Sequence, residues 1–369
     1  MEVTYSSDVD AGVRETLAST ASADSVEGIL LLATPDLKPQ SPEFEALLAD
    51  ISVPIFGGIF PEIIYRGEKQ DTGALTVGLS SKPDVTTVSD LSDPETSFSD
   101  ALDPNLPSQG YETALVFVDA HATNIEAFIE TLFRTYSVEL NFVGGGAGTL
   151  EVDQQSCLFT NEGVIEDGAI VAALPEPMEI GVKHGWQEIA GPFRVTDADG
   201  STLNTLDGKS AFSVYRDVIE DHSRTIVTEE NFFEVAKSYP FGISRMAAEE
   251  IVRDPFAVSE DGSITCFGEM PEGEFVTVLE GDPDSLIAAA QTAYDHALNG
   301  SNPPEALFFF DCISRVLYLK SAFDRELAVV RPGDVPVFGA LTIGEIANDG
   351  AGHLDYYNKT AVVGAMSNV

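Results

Sequence analysis

One arrangement of segments occurs three times along the chain, and it constrains the fold more than any other feature of the sequence. Each time, an apolar segment precedes a helical pattern, a second apolar segment that ends in small residues, and a third apolar segment. The closest match is between two of the second segments, Val53–Gly58 and Val335–Ala340. Such internal similarity is typical of chains built from repeated supersecondary units. It predicts a strand–helix–strand–glycine-loop–strand unit used three times.

The three predicted units have the same order of elements. The first comprises Gly28–Leu32, Glu43–Ala49, Val53–Phe56 with Gly57-Gly58, and Gly73–Val77; the second comprises Ala114–Val118, Asn124–Thr135, Leu140–Val143 with Gly144–Gly148, and Gly168–Val171; the third comprises Ala306–Phe310, Ala322–Val329, Val335–Phe338 with Gly339-Ala340, and Thr360–Val363. In the first unit, Ser41 and Pro42 are typical of a helix N-cap and first helical position. We therefore predict a mixed α+β (α/β) fold, with two lobes of mixed β-sheet and flanking helices.

Changes in local composition and pattern along the sequence predict the limits of the two lobes. A boundary near residue 212 separates two comparable halves, residues 1–212 and residues 213–369. Within the first half, Pro83–Gly110 is rich in Asp, Ser and Pro, which predicts an exposed acidic loop or insertion. In the second half, Pro255–Val278 predicts two or three antiparallel strands, and Pro283–Leu298 predicts an amphipathic helix.

The charge of the chain is strongly negative. Its 369 residues include 19 Lys and Arg against 61 Asp and Glu, for a formal net charge of −42. This pattern resembles cytosolic proteins of salt-accumulating archaea, in which concentrated salt screens the repulsion between surface carboxylates. The alternative is an acidic protein of an ordinary cytoplasm. The first interpretation predicts unfolding in dilute buffer, and either one disfavours binding to nucleic acid or to an anionic membrane.

The number of cysteines and the length of the apolar runs indicate the cellular compartment in which we expect the protein. Cys157, Cys266 and Cys312 are few and widely spaced, so they form no recognisable disulfide framework. The polar start of the chain does not resemble a signal peptide, and the longest apolar runs are too short to span a bilayer. We expect a soluble cytoplasmic protein.

The usual catalytic signatures are absent from the sequence. It contains no P-loop, no GxGxxG spacing, no HExxH and no GxSxG. Its five His and three Cys residues show no metal-ligand spacing, so we predict neither a metal site nor a cofactor. The glycine-rich Gly144–Gly148 has two interpretations: a pocket floor whose amides bind an anion, or a tightly packed turn.

A polar cluster follows the apolar strand predicted at Ala306–Phe310. Arg315 suits bidentate recognition of a carboxylate, although a structural salt bridge is the alternative. Cys312 is either an activated thiolate or a small buried hydrophobe. Glu345 follows another predicted strand and is expected at the same edge. Trp186 either stacks on a ligand or fills a core.

A series of short motifs runs through nearly the whole chain. The motifs are Gly144–Gly148, Phe159, Asn161–Val164, Asp167–Ala169, His184–Trp186, Val195-Thr196, Leu206–Gly208, Tyr239–Gly242, Val252-Arg253, Cys312–Arg315, Gly344–Ile346 and Tyr357–Thr360. In this order they resemble the FIST family of intracellular sensory proteins, which have paired FIST N and FIST C domains. The resemblance implies FIST N-like and FIST C-like lobes that sense small ligands, with amino acids proposed. It supplies no catalytic residues.

We therefore expect a non-enzymatic sensory protein that binds a small molecule such as an amino acid. Because the chain shows no output segment, it would signal to a separate protein such as a histidine kinase. In this hypothesis Arg315 binds the ligand carboxylate, while Glu345 and Asn358 bind its polar groups. The predicted ligand-binding residues are Gly57, Gly58, Gly145, Gly146, His184, Trp186, Cys312, Arg315, Gly344, Glu345 and Asn358.

Two alternatives to the sensory interpretation stay open. The first is an enzyme with Cys312 as its nucleophile, which would require a base supplied by the fold. The second is an interaction scaffold without a ligand, in which the glycine segments only pack.

Overall fold

A computed structural model describes residues 1–151, 154–244, 249–299, 303–331, 333, 335–348 and 352–367. The helices are α1 (Ala11–Ala21), α2 (Pro42–Asp50), α3 (Ile125–Tyr136), α4 (Ala211–Ser223), α5 (Phe232–Ala236), α6 (Pro283–Ala297), α7 (Ile313–Leu319) and α8 (Phe323–Val329). The strands are β1 (Glu2–Ser6), β2 (Gly28–Ala33), β3 (Ile55–Ile59), β4 (Glu62–Tyr65), β5 (Glu68–Gln70), β6 (Ala74–Leu79), β7 (Asp84–Val88), β8 (Thr113–Asp119), β9 (Asn141–Ala147), β10 (Leu158–Thr160), β11 (Gly163–Ile165), β12 (Ala169–Leu174), β13 (Met178–Lys183), β14 (Gln187–Asp199), β15 (Thr202–Leu206), β16 (Lys209–Ser210), β17 (Phe241–Ile243), β18 (Ile251–Val258), β19 (Ile264–Phe267), β20 (Phe275–Glu280), β21 (Ala306–Cys312), β22 (Val337–Thr342), β23 (Glu345–Asn348), β24 (Leu354–Tyr357) and β25 (Ala361–Met366).

Three units of the same topology form the core. In each unit two parallel strands are joined through helical segments, and a third strand lies antiparallel beside the first. The first unit contains β2, α2, β3 and β6; the second contains β8, α3, β9 and β12; the third contains β21, α7, α8, β22 and β25. The predicted mixed fold and the predicted threefold repeat are both confirmed.

Each unit sends a hairpin to a neighbouring unit. The hairpin β4–β5 of the first unit pairs with β22 of the third. The hairpin β10–β11 of the second unit pairs with β3 of the first, and β23–β24 of the third unit pairs with β9 of the second. With β1, β7 and β13 added at the opposite edges, the exchange completes three six-stranded sheets of one design.

The glycine segments lie inside strands and not in loops, which corrects the prediction. Gly57, Gly144 and Gly339 occupy the same position of β3, β9 and β22. A Cβ atom there would lie 1.8, 1.9 and 1.9 Å from a carbonyl oxygen of the neighbouring parallel strand. Glycine is required because any side chain would collide with the paired backbone, so these residues serve close strand approach.

The third unit contains a large insertion between β13 and β21. Six strands in the order β14, β20, β17, β18, β19 and β15 close into a barrel, because β15 also pairs with β14. The strands expected within Pro255–Val278 belong to this barrel. The helix expected at Pro283–Leu298 is α6, which packs on β13 and β25. Its N-cap Asp282 forms a capping box with Ser285, which explains where the helix begins.

The segment predicted as an exposed acidic loop is partly buried. Within Pro83–Gly110, strand β7 pairs with β12. The side chains of Leu91, Phe98, Leu102 and Leu106 are buried in the core that also contains α3. Apolar residues spaced among Asp, Ser and Pro give no regular period, so the sequence pattern conceals this packing.

The division of the chain near residue 212 stays a prediction. Residue 212 lies in the first turn of α4. Three strand pairs, β4 with β22, β9 with β23 and β13 with β25, join residues on either side of it. The two halves of the sequence therefore share their sheets.

Candidate functional site

Arg315 lies at the centre of a buried cluster of polar groups. Its Nε and Nη2 donate to the carboxylate oxygens of Glu326 at 3.0 and 2.7 Å, and Nε lies 3.0 Å from Oδ1 of Asp311. The remaining N–H groups donate to backbone carbonyl oxygens, those of His184, Leu286 and Lys359. A guanidinium has five N–H groups, so every donor of Arg315 has a protein acceptor. None is left for the ligand carboxylate that the sequence analysis assigned to this residue.

Cys312 and Glu345 form a second buried pair beside Arg315. Glu345 accepts from Oγ1 of Thr342 at 2.8 Å and from the amide of Thr360 at 3.3 Å. Burial raises the pKa of Glu345 to about 8, although these two hydrogen bonds act to lower it. Burial also raises the pKa of the Cys312 thiol, and the Glu345 carboxylate adds to that shift. A thiol held protonated is a weak nucleophile.

His184 and Trp186 complete the packing around this cluster. Nε1 of Trp186 donates to the carbonyl oxygen of Lys359 at 3.2 Å, and its ring packs against Tyr318 with centroids 5.2 Å apart. Nδ1 of His184 accepts from the Trp186 amide at 2.9 Å, and Nε2 lies 3.1 Å from a carboxylate oxygen of Glu249. Burial lowers the pKa of His184 to about 4, although Glu249 acts to raise it. At neutral pH the imidazole is therefore uncharged.

Gly145, Gly146 and Gly344 bring two units into backbone contact. The amide of Gly146 in β9 donates to the carbonyl oxygen of Gly344 at 2.8 Å. A Cβ atom on Gly146 would lie 2.1 Å from the carbonyl oxygen of Ile343, and one on Gly145 would lie 2.5 Å from that of Gly344. These glycines allow the second unit to approach the turn before β23.

The remaining predicted residues lie in two places. Asn358 is buried in the turn before β25, where its Nδ2 donates to the carbonyl oxygen of Tyr357 at 3.0 Å. Its Oδ1 has no hydrogen-bond partner among the residues that the structure describes. Gly57 and Gly58 lie in β3 of the first unit, apart from the Arg315 cluster. The other nine predicted residues, Arg315 included, are buried, and their ligand-binding roles stay predictions.

A cleft between the first and second units offers more room. This first cleft has a volume of about 520 Å³, and small-molecule sites typically measure about 300–1,000 Å³. It lies where β2, β3 and β9 end, and sheets with parallel strands commonly bind ligands at those carboxyl ends. Its lining residues are Pro35, Lys38, Pro39, Gln40, Ile59, Pro61, His121, Gly148, Thr149, Leu150, Glu151, Gln155, Ser156 and Cys157.

The first cleft carries charges of both signs. Lys38 forms no ion pair with any residue in the described ranges. Glu151 lines the cleft as well, and one of its carboxylate oxygens accepts from Nε2 of Gln155 at 3.4 Å. Nε2 of His121 donates to the carbonyl oxygen of Thr149 at 3.2 Å. The lining can therefore complement a molecule that has an anionic group and a cationic group.

A buried carboxylate supports one wall of the first cleft. Asp119 ends β8, and its Oδ1 accepts from the amide of His121 at 3.0 Å. Its Oδ2 accepts from Nε2 of Gln154 at 2.8 Å and from the amide of Asp167 at 2.9 Å. These bonds hold the ends of two neighbouring segments in place.

Lys38 was not among the ligand-binding residues predicted from the sequence. The signal that selected Arg315, a scarce cation soon after an apolar strand, applies equally to Lys38, which follows the end of β2 at Ala33. The prolines near Lys38 obscured this similarity, because Pro35 and Pro39 suggest only a connecting loop after the strand.

Two kinds of feature are missing from the described ranges. No helix within them is both long and apolar enough to cross a membrane. Nor do they contain three or more His, Cys, Asp or Glu side chains grouped so as to hold a metal ion.

Comparison with protein families identifies both halves of the sequence. A family model described as the FIST N domain matches residues 18–209, and one described as the FIST C domain matches residues 211–348. Among curated proteins, none matches the chain. FIST domains are sensory domains of signal-transduction proteins. Since the FIST N match alone spans more than half of the 369 residues, the chain belongs to the FIST family.

Proposed function

We propose that this protein senses a small molecule that binds in the first cleft through a carboxylate. The first cleft carries this proposal, because it is an open cavity at the carboxyl ends of three strands and contains a lysine that has no ion pair with a described residue. A cation is scarce in a chain of net charge −42, so a lysine facing a cavity without a protein partner suits an anionic group from outside.

Within the first cleft, Lys38 takes the role that the sequence analysis gave to Arg315. The donors of Arg315 already bind Glu326, Asp311 and backbone carbonyls. Releasing one of them would leave a buried carboxylate or carbonyl without its partner, which costs about 1–3 kcal/mol. Lys38 has no such partner in the part of the chain that the structure describes.

An amino acid is the ligand class that we propose for this site. Its carboxylate would pair with Lys38, and Glu151 is an anionic group in the same lining. Apolar surface from Pro35, Ile59 and Pro61 would cover the aliphatic part of the molecule. Mostly apolar walls with a few polar groups are typical of small-molecule sites.

We further propose that the protein acts without catalysis and signals to a separate protein in the cytoplasm, such as a histidine kinase. Support for a non-enzymatic role comes from Cys312, which is 2% exposed and has a raised pKa. A nucleophilic cysteine needs a thiolate that a substrate can reach. The acidic surface is proposed to be an adaptation to concentrated salt.

Thermal unfolding in molar potassium chloride tests the proposed ligand site. The twenty amino acids are added singly to the wild-type protein, to Lys38→Gln and to the control Lys82→Gln, which changes an exposed lysine in the turn before β7. A true ligand at a hundred times its Kd stabilises the wild type and the control by about 2.7 kcal/mol, and Lys38→Gln loses this effect.

Two results would count against this proposal. If Lys38→Gln is stabilised as much as the control, the carboxylate does not bind at Lys38. If none of the amino acids stabilises the wild-type protein, the ligand class is wrong.

A further inference from the structure

The buried cluster around Arg315 contains more acidic groups than one guanidinium can neutralise. Three acidic side chains in it are fully buried, as is the arginine itself: Asp311, Glu326 and Glu345. The ammonium group of Lys359 lies 3.2 Å from the carboxylate of Asp254, so its charge is already balanced. A buried carboxyl group without a cationic partner takes up a proton, because an isolated charge is costly to remove from water. Two of the three acids are therefore expected to be protonated, and Glu345, with a pKa of about 8, is one of them.

The contacts of Arg315 distinguish the two remaining acids. Glu326 accepts from Nε at 3.0 Å and from Nη2 at 2.7 Å, which is the two-point contact of an ionised carboxylate with a guanidinium. Asp311 has a single contact with the guanidinium, between Oδ1 and Nε at 3.0 Å. The same Oδ1 accepts from the amide of Cys312 at 2.9 Å. Glu326 therefore neutralises Arg315, and Asp311 is the acid in excess.

The second carboxyl oxygen of Asp311 lacks a donor. Oδ2 is buried and has no hydrogen-bond partner in the described part of the chain. The carboxyl groups of Asp311 and Glu326 lie within hydrogen-bonding reach of each other. Ionised carboxylates only accept, so a hydrogen bond between these two groups requires a proton on one of them. A proton on Oδ2 of Asp311 supplies that donor and satisfies the buried oxygen.

The surroundings of Asp311 favour its protonated form. Burial is the largest cause and raises the pKa of Asp311 well above its ordinary value. The charges of Glu326 in α8 and of ionised Glu345 in β23 raise this pKa further, and the charge of Arg315 in α7 lowers it. Two more titratable groups lie at Arg315 and are uncharged at neutral pH, the Cys312 thiol and the His184 imidazole.

We infer that Asp311 binds a proton on Oδ2 in the folded protein and donates it in a hydrogen bond to the carboxylate of Glu326. This proton joins β21, which contains Asp311, to α8, which contains Glu326. When it is lost, two adjacent carboxylates face one guanidinium and repel each other. The contact between the strand and the helix therefore weakens as pH rises, which makes it a pH-sensitive device of the third unit. This inference goes beyond the proposed function and depends on no ligand.

Two isosteric substitutions test where the proton lies. Both are made in the full-length Glu345→Gln protein, because Glu345 also holds a proton at neutral pH. Asp311→Asn replaces the O–H donor by an N–H donor, and should change the folding equilibrium constant at neutral pH by less than about tenfold. Glu326→Gln removes the charge that neutralises Arg315, and should lower the constant by about a hundredfold or more. Urea unfolding in molar salt measures both constants.

Infrared spectroscopy detects the proton directly. A protonated carboxyl group has a carbonyl band that an ionised carboxylate lacks. In the Glu345→Gln protein at neutral pH, Asp311→Asn should remove one component of this band. The control Asp24→Asn changes an exposed aspartate and should leave the band as it is.

The pH dependence of stability gives a third measurement. Because the pKa of Asp311 is raised in the folded protein, the folded state keeps a proton that the unfolded chain loses. The folding equilibrium constant should therefore fall as pH rises above the ordinary range of aspartate, by up to about tenfold per pH unit for this one group. Asp311→Asn in the Glu345→Gln protein should make the fall less steep, and Asp24→Asn should not.

The outcomes that would overturn the inference are distinct. An Asp311→Asn protein that fails to fold, or that loses as much stability as Glu326→Gln, would show that Asp311 is ionised. An infrared band or a pH dependence that Asp311→Asn leaves unchanged would have the same meaning. These last two measurements need only Asp311→Asn and its control, so they decide the question even if Glu326→Gln is too unstable to study.

Discussion

In the first and third units a cation follows the equivalent strand, β2 or β21, but the surroundings of the two cations differ. Thr34 and Cys312 stand three residues beyond Leu31 and Phe309, the residues that face the strand glycines. After β2, Lys38 lines the first cleft and has no ion pair among the described residues. After β21, the corresponding stretch contains a fully buried cation with every donor bonded.

The difference originates in the insertion that only the third unit contains. The acceptors around Arg315 include the carbonyl oxygen of His184, at the start of the insertion, and that of Leu286 in α6. Glu326 is supplied by α8. The first unit contains no such insertion, and Lys38 is exposed after its strand. A cation after a strand therefore predicts a charge at that edge, and the surrounding segments decide whether it binds a ligand or the protein itself.

The largest expected effect is the difference in stability between a variant without Arg315 and a variant without Lys38. Arg315→Met leaves Asp311 and Glu326 buried without their partner, and should lower the free energy of unfolding by about 3–5 kcal/mol. Lys38→Met should change it by about 0.5 kcal/mol or less, since no bond is lost. Urea unfolding in molar salt, followed by circular dichroism, measures both values.

A double variant keeps this comparison testable if Arg315→Met is too unstable to study. Replacing Glu326 by Leu in the Arg315→Met background removes an uncompensated charge and should restore part of the stability. Equal losses for Arg315→Met and Lys38→Met would show that the two cations do not differ as described.

The strand glycines should behave alike in both units, because the backbone frame is shared. Gly57→Ala and Gly339→Ala each place a Cβ within 1.9 Å of a carbonyl oxygen. Each should cost about 1–3 kcal/mol or more, from forced backbone shifts. Gly58→Ala, whose nearest neighbour would be 3.1 Å away, is the milder control. Chemical denaturation compares the three, and a large cost in one unit alone would contradict a common frame.

The dependence of stability on pH should also distinguish the units. Burial raises the pKa of Glu345 to about 8 from 4.5, so the folded protein keeps a proton that the unfolded chain loses in this interval. Glu345 therefore makes the free energy of unfolding fall as pH rises between these two values. Glu345→Gln should flatten this part of the pH profile, whereas Lys38→Gln should not. Urea unfolding midpoints at a series of pH values measure this dependence. If Glu345→Gln keeps the slope of the wild type, other groups cause the fall in stability with pH.

Local features of the fold were predictable from the sequence. Ser41 caps α2 by accepting from the amide of Phe44 at 3.2 Å, as the Ser-Pro pair predicted. The strands of the three units also lie close to their predicted positions, because runs of apolar residues between turn signals are local information. The repeat itself was visible because Val53–Gly58 and Val335–Ala340 preserve the strand glycine.

Long-range features were not predictable in the same way. The hairpin exchange depends on pairing between residues far apart, such as Ile64 with Gly339, and neither segment indicates its partner. The same applies to Arg315, whose five acceptor residues are spread along the chain from His184 to Lys359. Its chemistry was evident from the sequence, but its surroundings were not, so the dense packing around Arg315 was not predicted.

The cyclic exchange of hairpins has a consequence for how this protein can be divided. Each hairpin pairs with an edge strand of another unit. Deletion of any one unit therefore exposes backbone amides and carbonyls in one of the remaining units. It also removes the strand with which the hairpin of the other remaining unit pairs. Uncovered strand edges promote aggregation. We therefore expect fragments that end between the two family domains to expose unpaired strand edges and to aggregate.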